Sequence, residues 1–302
     1  MKHIKFTLSF LLAIVISATA VTAQQNKTIG IQLYSVMPAM NSDAEGSLKR
    51  LAGIGYNACE LVQWGGDSNV FGMKPSEFKN TCSQNGIEII STHSGIQEDS
   101  DTPESVEKRW RSLFQIQKSL GGKYFIVPSY NYENTIEGVK AMAAYFNRIG
   151  KIANEYGLKF GYHNHSHEFK PLNDNPSQTM YDLFAQLTDS GSVCLELDVY
   201  WAQKADRNPV ELLKTYPGRI KILHIKDDFT IGQSGKMDFE SIFRQFYANG
   251  HTDYVVEIET PASLRQKTGH DGKPLTETEI MDEVFKSADL SWKYLNNATF
   301  TL

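Results

Sequence analysis

Eight short apolar runs divide this 302-residue chain at roughly 30-residue intervals, the length that one strand and one helix need together. Each run is rich in β-branched or aromatic residues and is short enough for a strand. The runs are Ile29–Tyr34, Ala58–Val62, Ile87–His93, Tyr124–Pro128, Leu158–Asn164, Val193–Val199, Ile220–Lys226 and Tyr254–Glu259. Eight strand–helix units predict a (β/α)8 barrel.

Amphipathic segments with helical periodicity separate these strands, and Pro, Gly or a capping residue marks most of their ends. The segments are Asp43–Ile54, Pro75–Asn85, Pro103–Leu120, Thr135–Tyr156, Pro176–Leu187, Pro209–Tyr216, Asp238–Asn249 and Thr276–Leu295. A doubly wound open sheet would also alternate strands and helices. The count of eight, and the lack of a Gly-x-Gly-x-x-Gly motif after the first strand, favour a TIM barrel.

The first residues have the pattern of a secretory signal peptide. Lys2 and Lys5 precede an apolar stretch, Phe6–Ile16, and small residues lead to a cleavage site after Ala23. We therefore expect residues 1–23 to be removed and residues 24–302 to form a single barrel domain in the periplasm or outside the cell. The alternative is an N-terminal membrane anchor that is never cleaved, but the stretch is short for a stable anchor.

Composition narrows the class of partner. The formal net charge of −5 and the pI of about 5.9 argue against nucleic acid, which is bound through clustered Lys and Arg. A small carbohydrate and a homo-oligomer are the partners that we expect. Cys59, Cys82 and Cys194 form no Cys-x-x-Cys pair, so free buried thiols are expected, with a Cys59–Cys82 bridge left open.

Alternate residues of a barrel strand point inward, and this rule sorts the polar residues. If Asp198 points inward, so does Glu196, and the apolar residues between them face the helices. The same test places His224 with Lys226, and Glu257 with Glu259. The inward parity becomes polar near the C-terminal end of each strand, which is where barrel enzymes carry their active sites.

Four residues at the ends of consecutive strands form a candidate metal site: Glu168, Asp198, His224 and Glu259. Three carboxylates and one imidazole suit a divalent ion such as Mn²⁺, Mg²⁺, Co²⁺ or Zn²⁺. Carboxylates clustered without a cation would repel one another.

Each of these residues has an alternative reading. Asp198 could cap the helix that follows it, and His224 could be a hydrogen-bonded core histidine. Glu257 competes with Glu259 on the same parity. Either His163 or His165 could replace Glu168, which comes after its strand.

The chain resembles the xylose isomerase-like TIM-barrel superfamily, in its sugar phosphate isomerase/epimerase group with inosose dehydratase-like proteins. The matching segments are Gly30–Val36, Tyr162–His165 with Glu168-Phe169, Leu197–Trp201, Leu223–Asp227 and Val256–Glu259. The resemblance implies a Glu, Asp, His, Glu metal set, which falls on Glu168, Asp198, His224 and Glu259. The chain departs from the pattern of this family at two positions. His163 stands where the epimerases have a metal-binding Glu, and Trp201 stands where many members have His.

The resemblance also implies proton transfer next to a carbonyl. The candidate catalytic residues are then Glu168, Glu259, His163 and Lys226, with Lys226 placed to stabilise an oxyanion. The candidate substrate-binding residues are Tyr34, Glu60, Trp64, His93, His165, Trp201 and Glu257.

Three functions remain open on this basis. The first is an exported, metal-dependent isomerase or epimerase of a free sugar. The second is a metal-dependent lyase or hydratase of a keto sugar or keto-glycoside. The third is a sugar-binding barrel without catalysis, and an apurinic endonuclease is disfavoured by the acidic charge.

Overall fold

A computed structural model describes residues 27–63, 68–97, 102–269 and 272–302. Eight parallel strands form a closed barrel in which each strand pairs with the next and β1 pairs with β8. The strands are β1 Gly30–Gln32, β2 Ala58–Val62, β3 Glu88–His93, β4 Tyr124–Val127, β5 Lys159–His163, β6 Val193–Asp198, β7 Ile220–Ile225 and β8 Tyr254–Val256. The predicted TIM barrel is therefore confirmed.

Helices cover the outside of the barrel and also occupy its C-terminal loops. They are α1 Met37–Ser42, α2 Ala44–Ile54, α3 Pro75–Gln84, α4 Pro103–Leu120, α5 Ile136–Glu155, α6 Met180–Leu187, α7 Val199–Lys204, α8 Pro209–Thr215, α9 Phe239–Ala248, α10 Ala262–Arg265 and α11 Glu277–Asn297. The sequence did not predict α1, α7 and α10, because four to six residues are too few for a helical period to be visible. Two 3₁₀ turns, Leu33–Val36 and His167–Phe169, follow β1 and β5.

The alternation along the strands is as predicted. The outward residues of β6, such as Leu195 and Leu197, belong to the large apolar layer between sheet and helices. Inside the barrel, Cys194 instead joins a small cluster with Tyr124, Ile126 and Ile222. Ile220 was predicted to point into the barrel, but it belongs to the outer apolar layer.

Gly161 of β5 shows how tightly the barrel closes beneath the site. A Cβ atom on Gly161 would lie 2.8 Å from both the backbone oxygen and the Sγ atom of Cys194. The thiols of Cys59, Cys82 and Cys194 are free and buried, as expected. Burial raises the pKa of the Cys194 thiol to about 12, so it is protonated at neutral pH.

Two predicted features lie outside the described residues: the signal peptide at residues 1–23, and Trp64. Among the helices that are described, none has the length and apolar character required to span a bilayer.

Candidate functional site

A cavity of about 570 Å³ opens at the C-terminal ends of the strands. That volume suits a small-molecule site. Many of the residues predicted from the sequence line it: Tyr34, His93, His163, His165, Trp201, Lys226, Glu257 and Glu259.

Asp198, His224 and Glu257 come together at the base of this cavity, where Glu257 lines it and the other two residues lie buried behind Glu257. The Nδ1 atom of His224 lies 3.5 Å from Oδ2 of Asp198 and 3.5 Å from Oε2 of Glu257. Asp198 and His224 are fully buried, and neither Oδ2 of Asp198 nor Nδ1 of His224 has a hydrogen-bond partner. Buried polar atoms without partners are rare, so this arrangement calls for a cation or another ligand.

Asp198 uses its two carboxylate oxygens differently. Oδ1 accepts a hydrogen bond from the backbone N–H of Trp201 at 2.8 Å and so caps α7, while Oδ2 faces His224. The capping alternative and the ligand prediction are therefore compatible. The side chain of Asn164 holds the same segment: its Oδ1 accepts from the Asp198 N–H at 3.0 Å, and its Nδ2 donates to the Asp198 carbonyl at 3.2 Å. Asn164 was not among the predicted site residues, although it lies in the densest cluster of polar residues in the chain.

His163 approaches the same point from β5. Its Nε2 atom lies 3.9 Å from Oδ2 of Asp198, and its Nδ1 atom lies 2.9 Å from Oε2 of Glu196. Burial, together with the nearby His224 and His93, lowers the pKa of His163 well below its ordinary value. The ring is therefore neutral and has one nitrogen lone pair to offer.

Glu168 lies apart from this group. Its carboxylate is fully buried and accepts hydrogen bonds from the Tyr162 hydroxyl at 2.8 Å and the His165 N–H at 2.8 Å. Oε1 of Glu168 is also 3.2 Å from Nε2 of His167. The carboxylate thus folds back onto its own loop.

Glu259 lines the cavity and pairs with Lys226, and among the described residues no ion pair joins it to His224. β8 ends at Val256, and the next carboxylate, Glu257, is the one beside His224. The Lys226 ammonium bonds both glutamates, at 3.1 Å to Glu257, and sits 4.7 Å from the Trp201 ring.

The opposite charges of Lys226 and Glu257 stabilise each other's ionised form. Burial alone would lower the pKa of Lys226, but the charges of Glu257, Asp198 and Glu259 raise it above its usual value. Burial alone would raise the pKa of Glu257, but Lys226 and His224 hold it well below its ordinary range. Both groups are therefore charged at neutral pH.

A second buried layer lies directly below. Glu60 and Glu196 are fully buried, and His93 joins them, with its Nε2 atom 3.0 Å from Glu60 Oε1 and 2.6 Å from Glu196 Oε2. Glu60 was predicted to bind substrate. It does not line the described cavity, because His93, His224 and Gln32 surround its carboxylate.

Three groups of His and carboxylate atoms lie within 4.8 Å of one another in the described part of the chain. They are His93 with His163, Glu196 and His224; His165 with His167 and Glu168; and Asp198 with His224 and Glu257. The last group reaches the cavity through Glu257 and includes two buried atoms without a hydrogen-bond partner, Oδ2 of Asp198 and Nδ1 of His224. Its donors, two carboxylates and an imidazole, fit a divalent ion, and His163 Nε2 can complete the set.

Comparison with known proteins agrees with this architecture. The family model described as "Xylose isomerase-like TIM barrel" matches residues 48–281. The inosose dehydratase of Geobacillus kaustophilus is 27% identical over 69% of this chain and 77% of its own.

Two solved structures are also similar. A sugar phosphate isomerase/epimerase from Parabacteroides distasonis is 31% identical, with a TM-score of 0.79 over 93% of this chain and 99% of its own. The D-psicose 3-epimerase of Clostridium cellulolyticum, solved with D-tagatose, is 17% identical, with a TM-score of 0.66 over 90% of this chain and 100% of its own, and so shares the fold. The relatives named here are all enzymes. The chain belongs to the xylose isomerase-like TIM-barrel family.

Proposed function

We propose that this protein is an exported, divalent-metal-dependent enzyme that isomerises or epimerises an unphosphorylated keto sugar by proton transfer next to the carbonyl. The observation that carries the proposal is the convergence of Asp198 Oδ2, His224 Nδ1 and Glu257 Oε2 at the base of the cavity. Two of these atoms, Asp198 Oδ2 and His224 Nδ1, are buried without a hydrogen-bond partner. His163 Nε2 is the fourth donor. We propose this set in place of one with Glu168 and Glu259, because Tyr162 and His165 already donate hydrogen bonds to Glu168, and Glu259 pairs with Lys226.

The ion, when bound, would polarise the substrate carbonyl and acidify the adjacent C–H bond. The protein supplies the remaining groups. Glu259 lines the cavity with 49% of its side chain exposed, so its carboxylate can accept a proton from the substrate. Lys226, at its side, can donate to an oxygen that gains negative charge. Tyr34 and Trp201 offer aromatic faces against which the C–H face of a sugar can pack.

The charge of the cavity supports an unphosphorylated substrate. Among the described lining residues Lys226 is the one Lys or Arg, and two carboxylates already neutralise it. Residues 64–67 and 98–101, which lie outside the described ranges, contain neither Lys nor Arg. Phosphate groups are usually held by Arg, Lys or several backbone N–H groups. A phosphate ester would therefore meet mostly negative charge here.

A lyase is the second candidate, and the relatives named inosose dehydratase favour it. Elimination of water begins with the same proton abstraction and then needs an acid for the departing hydroxyl. His165 lines the cavity, and its Nδ1 atom has no hydrogen-bond partner. It is the group that we assign to that step if the protein is a lyase.

One experiment separates the candidates. The purified protein, loaded with Mn²⁺ or Zn²⁺, is incubated in D2O with a panel of free keto sugars, and the products are followed by NMR. Deuterium entering the carbon next to the carbonyl without loss of water supports an isomerase or epimerase, whereas loss of water supports the lyase. Binding without turnover would favour the sugar-binding barrel. Asp198→Asn is the control that should abolish turnover.

Export has its own test. The pattern of Lys2, Lys5 and the apolar stretch before Ala23 motivates it. Intact mass of the protein recovered from a periplasmic or culture fraction should correspond to a chain that begins at Gln24. A full-length chain in the cytoplasmic fraction would contradict export without touching the proposed chemistry.

A further inference from the structure

The metal site proposed above contains two histidines that use opposite ring nitrogens. His163 turns Nε2 toward Asp198 and Nδ1 toward Glu196, at 3.9 and 2.9 Å. His224 does the reverse: Nδ1 faces Asp198 at 3.5 Å, and Nε2 faces Glu60 at 3.3 Å. Each ring thus lies between the proposed ion position and one deeply buried carboxylate.

The Glu60 and Glu196 carboxylates contact few groups other than histidines. Glu60 and Glu196 are fully buried, and each leaves one oxygen, Oε2 of Glu60 and Oε1 of Glu196, without a partner. Two buried charges are costly to place in a protein interior unless cations or hydrogen bonds compensate them. Val, Ile or Leu would fill these inward barrel positions at lower cost. The remaining oxygens contact histidines and Gln32.

His93 ties the two halves of the layer together. Its Nε2 atom is within 3.0 Å of Glu60 Oε1 and 2.6 Å of Glu196 Oε2, and its ring stacks on His224 with centroids 5.2 Å apart. Gln32 donates a further hydrogen bond to Glu60 at 2.6 Å. A shift of either carboxylate would therefore displace His93 and the rings next to it.

A neutral imidazole carries a proton on one nitrogen and a lone pair on the other. A carboxylate that accepts the N–H fixes which nitrogen keeps the lone pair, and also fixes the rotation of the ring. Outer partners of this kind commonly change metal affinity by about 10–100-fold when they are removed.

We propose that Glu196 and Glu60 are positioning residues that hold His163 and His224 in opposite tautomers, so that Nε2 of His163 and Nδ1 of His224 face a single ion. This inference rests on the proposed metal site but not on the identity of the sugar or the reaction. The carboxylates touch neither the ion nor the substrate and act only through the two rings.

The first test uses the unmodified protein. Histidines are labelled with ¹⁵N, and the tautomers are read from long-range ¹H–¹⁵N correlations in the Zn²⁺-loaded protein. His163→Gln and His224→Gln spectra assign the signals. The expected result is His163 bound through Nε2 with Nδ1 protonated, and His224 bound through Nδ1 with Nε2 protonated. Zn²⁺ on Nδ1 of His163, or on Nε2 of His224, would overturn the proposal.

The second test removes one carboxylate charge at a time. Glu196→Gln and Glu60→Gln should each weaken Zn²⁺ binding by about 10-fold or more in isothermal titration. Glu168→Gln is the matched control, because Glu168 is equally buried and hydrogen-bonded but contacts neither ring. Its Zn²⁺ affinity should stay within about 3-fold of the wild type, a difference of under 1 kcal/mol.

The outcomes separate this proposal from the proposed function. If the wild type takes up no Zn²⁺, the proposed metal site fails, and this inference fails with it. If the wild type binds Zn²⁺ but Glu196→Gln and Glu60→Gln only lower the melting temperature of the metal-free protein, the carboxylates are merely structural and this inference alone is wrong. An equal loss of affinity in Glu168→Gln would also contradict it. Should the variants not fold, the tautomers of the wild type still decide.

Discussion

The Nδ1 atom of His224, which has no hydrogen-bond partner, lies 3.5 Å from Oε2 of Glu257 at the base of the cavity. In the proposed metal site, this contact makes Glu257, the residue directly after β8, one of the four ligands. Glu259, two residues later, lies nearer to solvent, where it pairs with Lys226.

The two glutamates should therefore respond differently to the same substitution. Glu257→Gln should lower the affinity for a divalent ion by 10-fold or more, because a charged donor is lost. Glu259→Gln should keep the ion but lower the turnover of the keto sugar, since its carboxylate is the proposed base. Metal content after dialysis, measured alongside turnover, separates the two effects. Retained metal in Glu257→Gln, with metal lost in Glu259→Gln, would restore the set predicted from the sequence.

Asn164 should matter for the position of Asp198. Its side chain makes two hydrogen bonds to the Asp198 backbone in a fully buried setting. Asn164→Ala leaves the backbone N–H of Asp198 without its partner and should lower the free energy of unfolding by about 1–3 kcal/mol. It should also weaken metal binding, because the Asp198 carboxylate moves with its backbone. Asn134→Ala serves as the comparison, because the Asn134 side chain donates an exposed hydrogen bond to the Pro171 carbonyl. An equal effect of both variants in denaturant unfolding and metal titration would refute the role of Asn164.

Asp182 gives a pH dependence of stability away from the site. Burial alone would raise its pKa, but hydrogen bonds from Arg207, Thr179 and Tyr216 outweigh burial and hold that pKa below its ordinary value. Because the folded pKa is depressed, the stabilisation is complete above the unfolded pKa of about 4 and is lost as the pH falls through the folded pKa. Asp182→Asn should cost about 1–2 kcal/mol at pH 7, as expected for hydrogen bonds to a charged group.

The same variant tests the direction of this pH dependence. The difference in unfolding free energy between the wild type and Asp182→Asn should be constant from pH 5 to pH 8 and should shrink in more acidic solution. A difference that grows as the pH falls would show that the direction assigned to this carboxyl is wrong.

The sequence was sufficient to predict the barrel and to predict which residues of most strands point inward. Strand residues such as Leu195 and Leu197 alternate with Glu196 and Asp198, and alternation is a local property that survives folding unchanged. Ile220 is an exception to this rule.

The choice between neighbouring carboxylates required the fold. Glu257 and Glu259 have the same parity, and only the end of β8 decides which one reaches the depth of His224. That end depends on a distant residue, because the Ser35 hydroxyl accepts the Ile258 N–H at 2.8 Å. Glu168 is a similar case, since the turn at His167–Phe169 directs its carboxylate back to the N–H of His165. No periodicity in the sequence encodes either contact.

The location of the ion tests the account most directly. A crystal of the Zn²⁺-loaded protein, with data collected on both sides of the zinc absorption edge, gives an anomalous difference map. We predict one strong peak about 2.0–2.2 Å from His163 Nε2, His224 Nδ1 and the carboxylates of Asp198 and Glu257. A peak between His165, His167 and Glu168, or no peak at the floor of the cavity, would contradict the account.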